Sequence, residues 1–482
     1  MDGDDNQVHA LCRAVTKAME VAHILSGDDM MPTPQEKDAY LQLVASARSA
    51  GEHWCDPEFP ANQTSISGKK EAETAAAKAQ PAMPIPTAAK PGTGNTGKRT
   101  PRCRCGENAE QAVVSRDTPN KGRAYWHCAR RVCGFFGWVD GGSGGGSHSG
   151  RDRKLQWARM PTSMALVTDY GFRAADLRQG GVGDCWFMSA LAVVAERHDL
   201  VAKLFSVHTA RDASGVYCLR LFLDGVWTSV MIDDLLPVTE VPRRAALAFD
   251  TKLAFCRTAS ACGRQQLWAS LVEKAYAKAY GSYYAISGGQ VAEALLDLTG
   301  APTEMIYMGD PSFDSELMWA RLRAYAALEL PMGCGTNSAV GSDELQQVGL
   351  CGGHAYSILS VREARTSSGR VRLLRIRNPH GVGEWNGEWS DASAKWAELI
   401  ADGDASARGA NGVSAFERTG VDDGTFWLEY THFLMGFSHV DVCFALRHWH
   451  SASLRNHFPA ERKGNGRTCG CVHLLRPSEP TT

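Results

Sequence analysis

Apolar residues fall at three- and four-residue spacing in HALCRAVTKAMEVAHIL and again in EKDAYLQLVASARSA, with the breaker MMPTPQ between them. That period predicts two helices joined as a hairpin over residues 1–54. The pattern then dissolves. Residues 55–100 are rich in Pro, Ala, Gly, Thr and Lys and read as a linker, because such a stretch buries too little apolar surface to offset its ordering entropy. A second linker, residues 142–152, carries the run GSGGGS. Between the linkers lies a cysteine-rich island, 101–141. Beyond them a globular region runs from 153 to 446, followed by a short basic tail, 447–482. Within the globular region QGGVGDCWFMSALAVVAE turns from glycines into a solidly apolar helix at Cys185. CGGHAYSILSV and RLLRIRN have the alternating apolar texture of strands.

Composition narrows the class. The chain has 482 residues, too many for one ordinary core, and a formal net charge of −2, so any nucleic-acid contact must be local. No apolar run reaches the ~18 residues of a membrane span, and the acidic start MDGDDNQ is unlike a secretory signal. Its 15 cysteines, an odd number over a long chain, suit free thiols, metal ligands or a nucleophile rather than a disulfide framework. An intracellular protein is expected, cytoplasmic in the first instance, with the nucleus as the alternative.

The island carries Cys103, Cys105, Cys128 and Cys133 as two close pairs, a spacing that brings four thiolates around one tetrahedral zinc ion. A segment this short needs a metal to fold, and His127 is an alternative ligand beside Cys128. Residues 98–131 hold nine basic and three acidic side chains, interleaved with Tyr125 and Trp126 and followed by Phe135, Phe136 and Trp138. Basic charge with aromatic faces suits a single-stranded nucleic acid; packing the finger's own small core is the competing use of those rings. C-x-C-G, PNKGRAYWHC and CGFFGWVD together resemble the GRF-type zinc finger, with Gly122, Arg123 and then Tyr125 at the signature. The resemblance implies zinc held by four cysteines and an accessory, targeting role.

Cys185 opens a helix, where unpaired N–H groups and the helix dipole favour a thiolate. A cysteine there is more often simply buried, so a partner base decides the matter. His354 follows two glycines and leads into a strand, and Asn378 ends another. A Cys–His–Asn set requires a nucleophile on a helix start and its base and orienting amide on neighbouring strands.

QGGVGDCWFMSA, GVWTSVMIDDLLPV, LWASLVEKAYAKAYGSYYAISGG, GGHAYSI, RIRNPHGVGEWNGEWSD and DDGTFWLEYTHFL follow, in order, the pattern of the calpain cysteine protease core. The resemblance implies an α+β fold of two papain-like lobes, 153–300 with the nucleophile and 301–446 with the base, and a cleft between them. It places the nucleophile on Cys185, the base on His354, the orienting amide on Asn378 and the oxyanion side chain on Gln179.

Two departures stand out. Where the family has NPWG this chain has NPHG, so His380 replaces the tryptophan that shields the His–Asn bond, and a weaker, pH-sensitive shield is expected. Of the family's calcium ligands Asp176, Glu384, Asp391 and Asp423 remain, and Gly171 with Asp176, whereas Gln266 and Thr425 stand where glutamates are usual. Losing one charge per site predicts weaker calcium binding, with the second site the more useful. The tail resembles only the opening of the β-sandwich that follows many such cores, its Cys469 and Cys471 look like another zinc knuckle but lack partners nearby, and no EF-hand loop pattern occurs. The expected activity is cleavage of internal peptide bonds in protein substrates, with any regulatory subunit undefined. The rival is a proteolytically silent scaffold whose working part is the finger.

Overall fold

The computed structural model describes residues 32–68, three short strands between 109 and 138, 155–161, 164–168, 171–205, 213–239, 253–258, 265–337, 340–400 and 416–447, and two strands further on. The chain divides into two units, Ala79–Lys154 and the combination of Met1–Lys78 with Leu155–Thr482. In the smaller unit, Ala109–Val113, Ala124–Cys128 and Phe136–Trp138 form an antiparallel sheet with the middle segment central. Cys128 ends that central strand; Cys103, Cys105 and Cys133 lie outside the described residues.

The larger unit starts with helix α1 (Pro34–Ala50). Thr33 and Glu36 close a reciprocal capping box, Pro34 stands at its first turn, and Gly51 ends it in the left-handed conformation. Tyr40, Val44 and Ala47 are buried along one face, Tyr40 and Val44 against Val216 and Cys218. The preceding helix of the expected hairpin lies outside the described residues.

The linker expected from residue 55 does not begin there. Asp56 is buried and pairs with Lys278 at 2.8 Å, and its amide donates to Asp233 at 2.7 Å. Phe59 and Ile66, each 2% exposed, enter the main core. Two isolated apolar residues in a polar stretch carry no period, so the sequence pattern missed them.

In the first lobe, helix α2 (Cys185–Ala195) is buried from Trp186 to Ala195, the texture of a central core helix rather than an amphipathic one. Helices α3 (Trp268–Ala279) and α4 (Val291–Thr299) pack beside it, with the hairpin Val216–Leu223/Val226–Asp233.

The second lobe is a six-stranded antiparallel sheet. Its strands are β1 (Thr303–Tyr307), β2 (Met332–Thr336), β3 (Ala355–Thr366), β4 (Gly369–Arg377), β5 (Thr425–Glu429) and β6 (Phe437–Cys443), in the order β1-β6-β2-β3-β4-β5. Its core is separate from that of the first lobe, with a satellite cluster of Trp389, Trp396, Phe416 and Trp427 under the β5 edge. The fold is therefore α+β. Trp449–His457 and Cys469–Pro477 pair as an antiparallel ribbon in the tail.

Candidate active site

The lobes meet where α2 faces β3. Ser357 Oγ donates to the Ser189 carbonyl at 2.9 Å, and the Cys185 thiol lies against the backbone of Ala355, the residue after His354. The glycines ahead of Cys185 have a steric reason. A Cβ on Gly180 would stand closer than 3.0 Å to the backbone of Phe255, and the Gly181 amide donates to the Ala254 carbonyl at 2.8 Å. The turn is thus clamped to a neighbouring segment before the helix begins.

His354 is fixed at both ends. Its amide donates to Thr336 Oγ1 at 2.9 Å, and its carbonyl accepts from the Thr336 amide at 3.0 Å. Nε2 stands 3.0 Å from Asn378 Oδ1. Asn378 Nδ2 donates to the carbonyls of Val382 (2.9 Å) and Gly383 (3.1 Å), so its oxygen must be the atom facing the imidazole. An amide oxygen only accepts; Nε2 therefore carries the proton and Nδ1 is left as the basic nitrogen.

His380 does not leave that bond bare. Its ring stacks on His354 with centroids 4.6 Å apart and planes within 1°, and its amide donates to Asn378 Oδ1 at 3.1 Å. The flat imidazole covers one face of the His354 ring. Burial, with a contribution from His380, pushes His354 down to about 4. Burial pushes the Cys185 thiol up, opposed by its bond to the Ala355 backbone.

The His354 shift has a stability consequence. An imidazole near 6.5 in the unfolded chain and about 4 in the folded one takes up its proton on unfolding between those values. Its stabilising contribution is complete above pH 6.5 and is lost as pH falls toward 4, by up to about 3 kcal/mol. Raised carboxyls such as Asp441, pushed up to about 7 by burial, act in the opposite sense, so the difference between wild type and His354→Gln is the informative quantity. Between pH 7 and pH 5 the urea midpoint of the wild type should fall relative to that of the variant. Equal slopes in both would overturn the assignment.

Gln179 is 7% exposed; its amide donates to the Pro379 carbonyl at 2.8 Å and its Nε2 to the Val182 carbonyl at 2.9 Å. Beside it Arg377, fully buried, donates from Nη2 to the Leu177 carbonyl at 2.6 Å. Segments 177–179 and 377–379 thus hold each other across the lobes. Sequence reading passed over Arg377 and Thr336. The arginine of RIRN was visible, but nothing local says that it crosses to the other lobe.

The two acidic sets differ. Asp176 is buried and accepts from Gln266 Nε2 at 3.3 Å, while Gln266 Oε1 accepts the Thr168 amide at 2.9 Å. At this position the side chains supply one carboxylate and one neutral amide, a low charge for calcium. In the second set Glu384 Oε1 accepts the amides of Asp423 (2.9 Å) and Gly424 (3.0 Å), and Asp391 Oδ2 accepts that of Gly420 (2.9 Å). Burial, with the charges of Asp391 and Asp423, pushes Glu384 up to about 7. Three hard oxygen donors that repel one another suit a cation, although among the described residues no three such side chains form a closed metal cluster.

A helix-borne thiol and a strand-borne, amide-oriented imidazole on two lobes define a cysteine protease of the papain type. Residues 143–444 match the calpain family cysteine protease model, and the chain belongs to that family. Residues 101–142 match the GRF zinc finger. The chain is 35% identical over 276 residues to the calpain-type cysteine protease DEK1 of Zea mays, covering 56% of this chain and 11% of that protein. It is 32% identical over 310 residues to the calpain-1 catalytic subunit of Mus musculus, covering 62% of this chain and 39% of that protein. The match thus spans well under half the length of these relatives.

Proposed function

We propose that the protein is an endopeptidase that hydrolyses internal peptide bonds through Cys185, His354 and Asn378. The observation that carries this reading is the fixed tautomer of His354, whose unprotonated Nδ1 is the atom able to take the thiol proton. Sγ attacks the scissile carbonyl as its proton passes to Nδ1, and the new C–S bond leaves charge on the carbonyl oxygen. The Cys185 amide and the Gln179 side chain would stabilise that oxyanion. His354 then delivers the proton to the leaving amine as the C–N bond breaks, and water hydrolyses the thioester.

Glu384, Asp391 and Asp423 would hold a calcium ion, which would supply positive charge to offset the repulsion of Asp391 and Asp423 on Glu384. A fluorogenic peptide should be turned over by the full chain and faster with calcium; silence in both conditions would favour the scaffold reading. The family match at 101–142 supports zinc on Cys103, Cys105, Cys128 and Cys133, with the finger serving to target the enzyme.

Basic and aromatic residues of the finger favour a single-stranded nucleic acid. With about four phosphate contacts, log affinity should fall with a slope near −3 in log salt. A flat dependence for the full chain on an oligonucleotide would exclude this use. Cys55, Cys185, Cys218, Cys256, Cys334, Cys351 and Cys443 are free thiols, which supports residence in the cytoplasm or nucleus.

A further inference from the structure

Directly before the nucleophile the chain buries a carboxyl group that the reaction described above does not use. Asp184 is 0% exposed and stands at the N-cap of α2, yet its side chain does not cap the helix. Neither of its oxygens accepts a well-aligned hydrogen bond. Its carboxyl lies within hydrogen-bonding reach of the side chains of Glu273, from α3, and Gln179. Glu273 is 1% exposed, and both its oxygens accept the Cys256 amide, at 3.0 and 3.1 Å. The titratable groups around the two carboxyls are Cys185, Cys256 and Tyr283, all acids. Among the described residues no lysine, arginine or histidine pairs with either.

Two touching carboxylates, dry and without a cation, cannot both ionise. As carboxylates they could only accept, and their contact would be repulsive. With one proton between them it becomes a donor–acceptor bond and satisfies an otherwise orphaned oxygen. Burial drives both groups upward, in the direction this sharing requires.

We propose that Asp184 and Glu273 share one proton and, as a bonded pair, position the Cys185 end of α2 and the Gln179 side chain while limiting the negative charge beside the thiol. The inference rests on Cys185 being the nucleophile. Both members are positioning residues: a second full charge next to Sγ would oppose formation of the thiolate, and a broken pair would release the turn that carries Gln179.

The test is the pH dependence of iodoacetamide alkylation at Cys185 in the full chain, read by peptide mass. This measures the thiolate whether or not peptides are cleaved, so failure here is distinguishable from failure of the protease reading. In Glu273→Gln the amide supplies the missing proton and the net charge is kept, so the midpoint should stay within about 0.3 unit of wild type. In the double variant Asp184→Asn/Glu273→Gln the charge is gone, and the midpoint should fall by about one unit. An unmoved midpoint in the double variant, or an equal shift in both, overturns the proposal. A second reading does not depend on the double variant folding. The infrared carbonyl band of protonated carboxylic acids at neutral pH should be weaker in Glu273→Gln than in the wild type by the intensity of one carboxyl; identical spectra would also overturn it.

Discussion

Alanine at position 185 should leave a folded protein that cleaves no peptide bond. The side chain lost is small and only partly buried, at the first position of α2, and the ten residues after it that anchor the helix are untouched. Thermal stability should therefore change little. What disappears is the only atom in the site able to form the acyl intermediate, and kcat/KM should fall by at least ~10⁴-fold, since background catalysis from oxyanion donors alone is small. Hydrolysis of casein and of a fluorogenic peptide, measured beside the melting curve, separates chemistry from folding. Wild-type turnover in the variant would sink the assignment of the nucleophile.

The second large effect is expected at Gly180, which does no chemistry at all. Alanine there would drive its Cβ closer than 3.0 Å to the Cα, C and O atoms of Phe255, rigid backbone that cannot rotate away. Relief requires the turn 179–184 to lift from its neighbour, carrying Gln179 and the start of α2 with it. A displacement of about 1 Å at a reacting group commonly costs ~10²-fold in rate, and the clash should also lower the melting temperature by several degrees. Gly309→Ala is the matched control, because its Cβ would meet nothing within 4 Å. Comparable losses at both positions would mean that the tight approach at Gly180 is unimportant.

The legible parts of this chain were the short-range ones. Cys185 after its glycines, His354 ahead of an alternating strand and Asn378 before a proline turn each announce a backbone setting within a few residues. The α+β class followed from the ordered resemblance of six segments to the calpain core. What escaped notice depends on partners far away in sequence. Arg377 reads as one more strand arginine until it reaches Leu177, 200 positions earlier. Asp184 looks like a helix cap, and only Glu273, brought in by α3, makes it something else. His380 was expected to shield the His–Asn bond less than a tryptophan would; its parallel stacking on His354 is a property of ring geometry that composition does not reveal. Gln266 was read as a lost charge, whereas its two hydrogen bonds give it a neutral role of its own.

Phe59 and Ile66 inside the first lobe have a bearing on how the finger is held. The stretch before it belongs to the same body as the stretch after it, so the finger is an insertion with an anchor on either side. Severing one connecting segment would leave it attached through the other, and releasing the finger from the protease core would take two cuts.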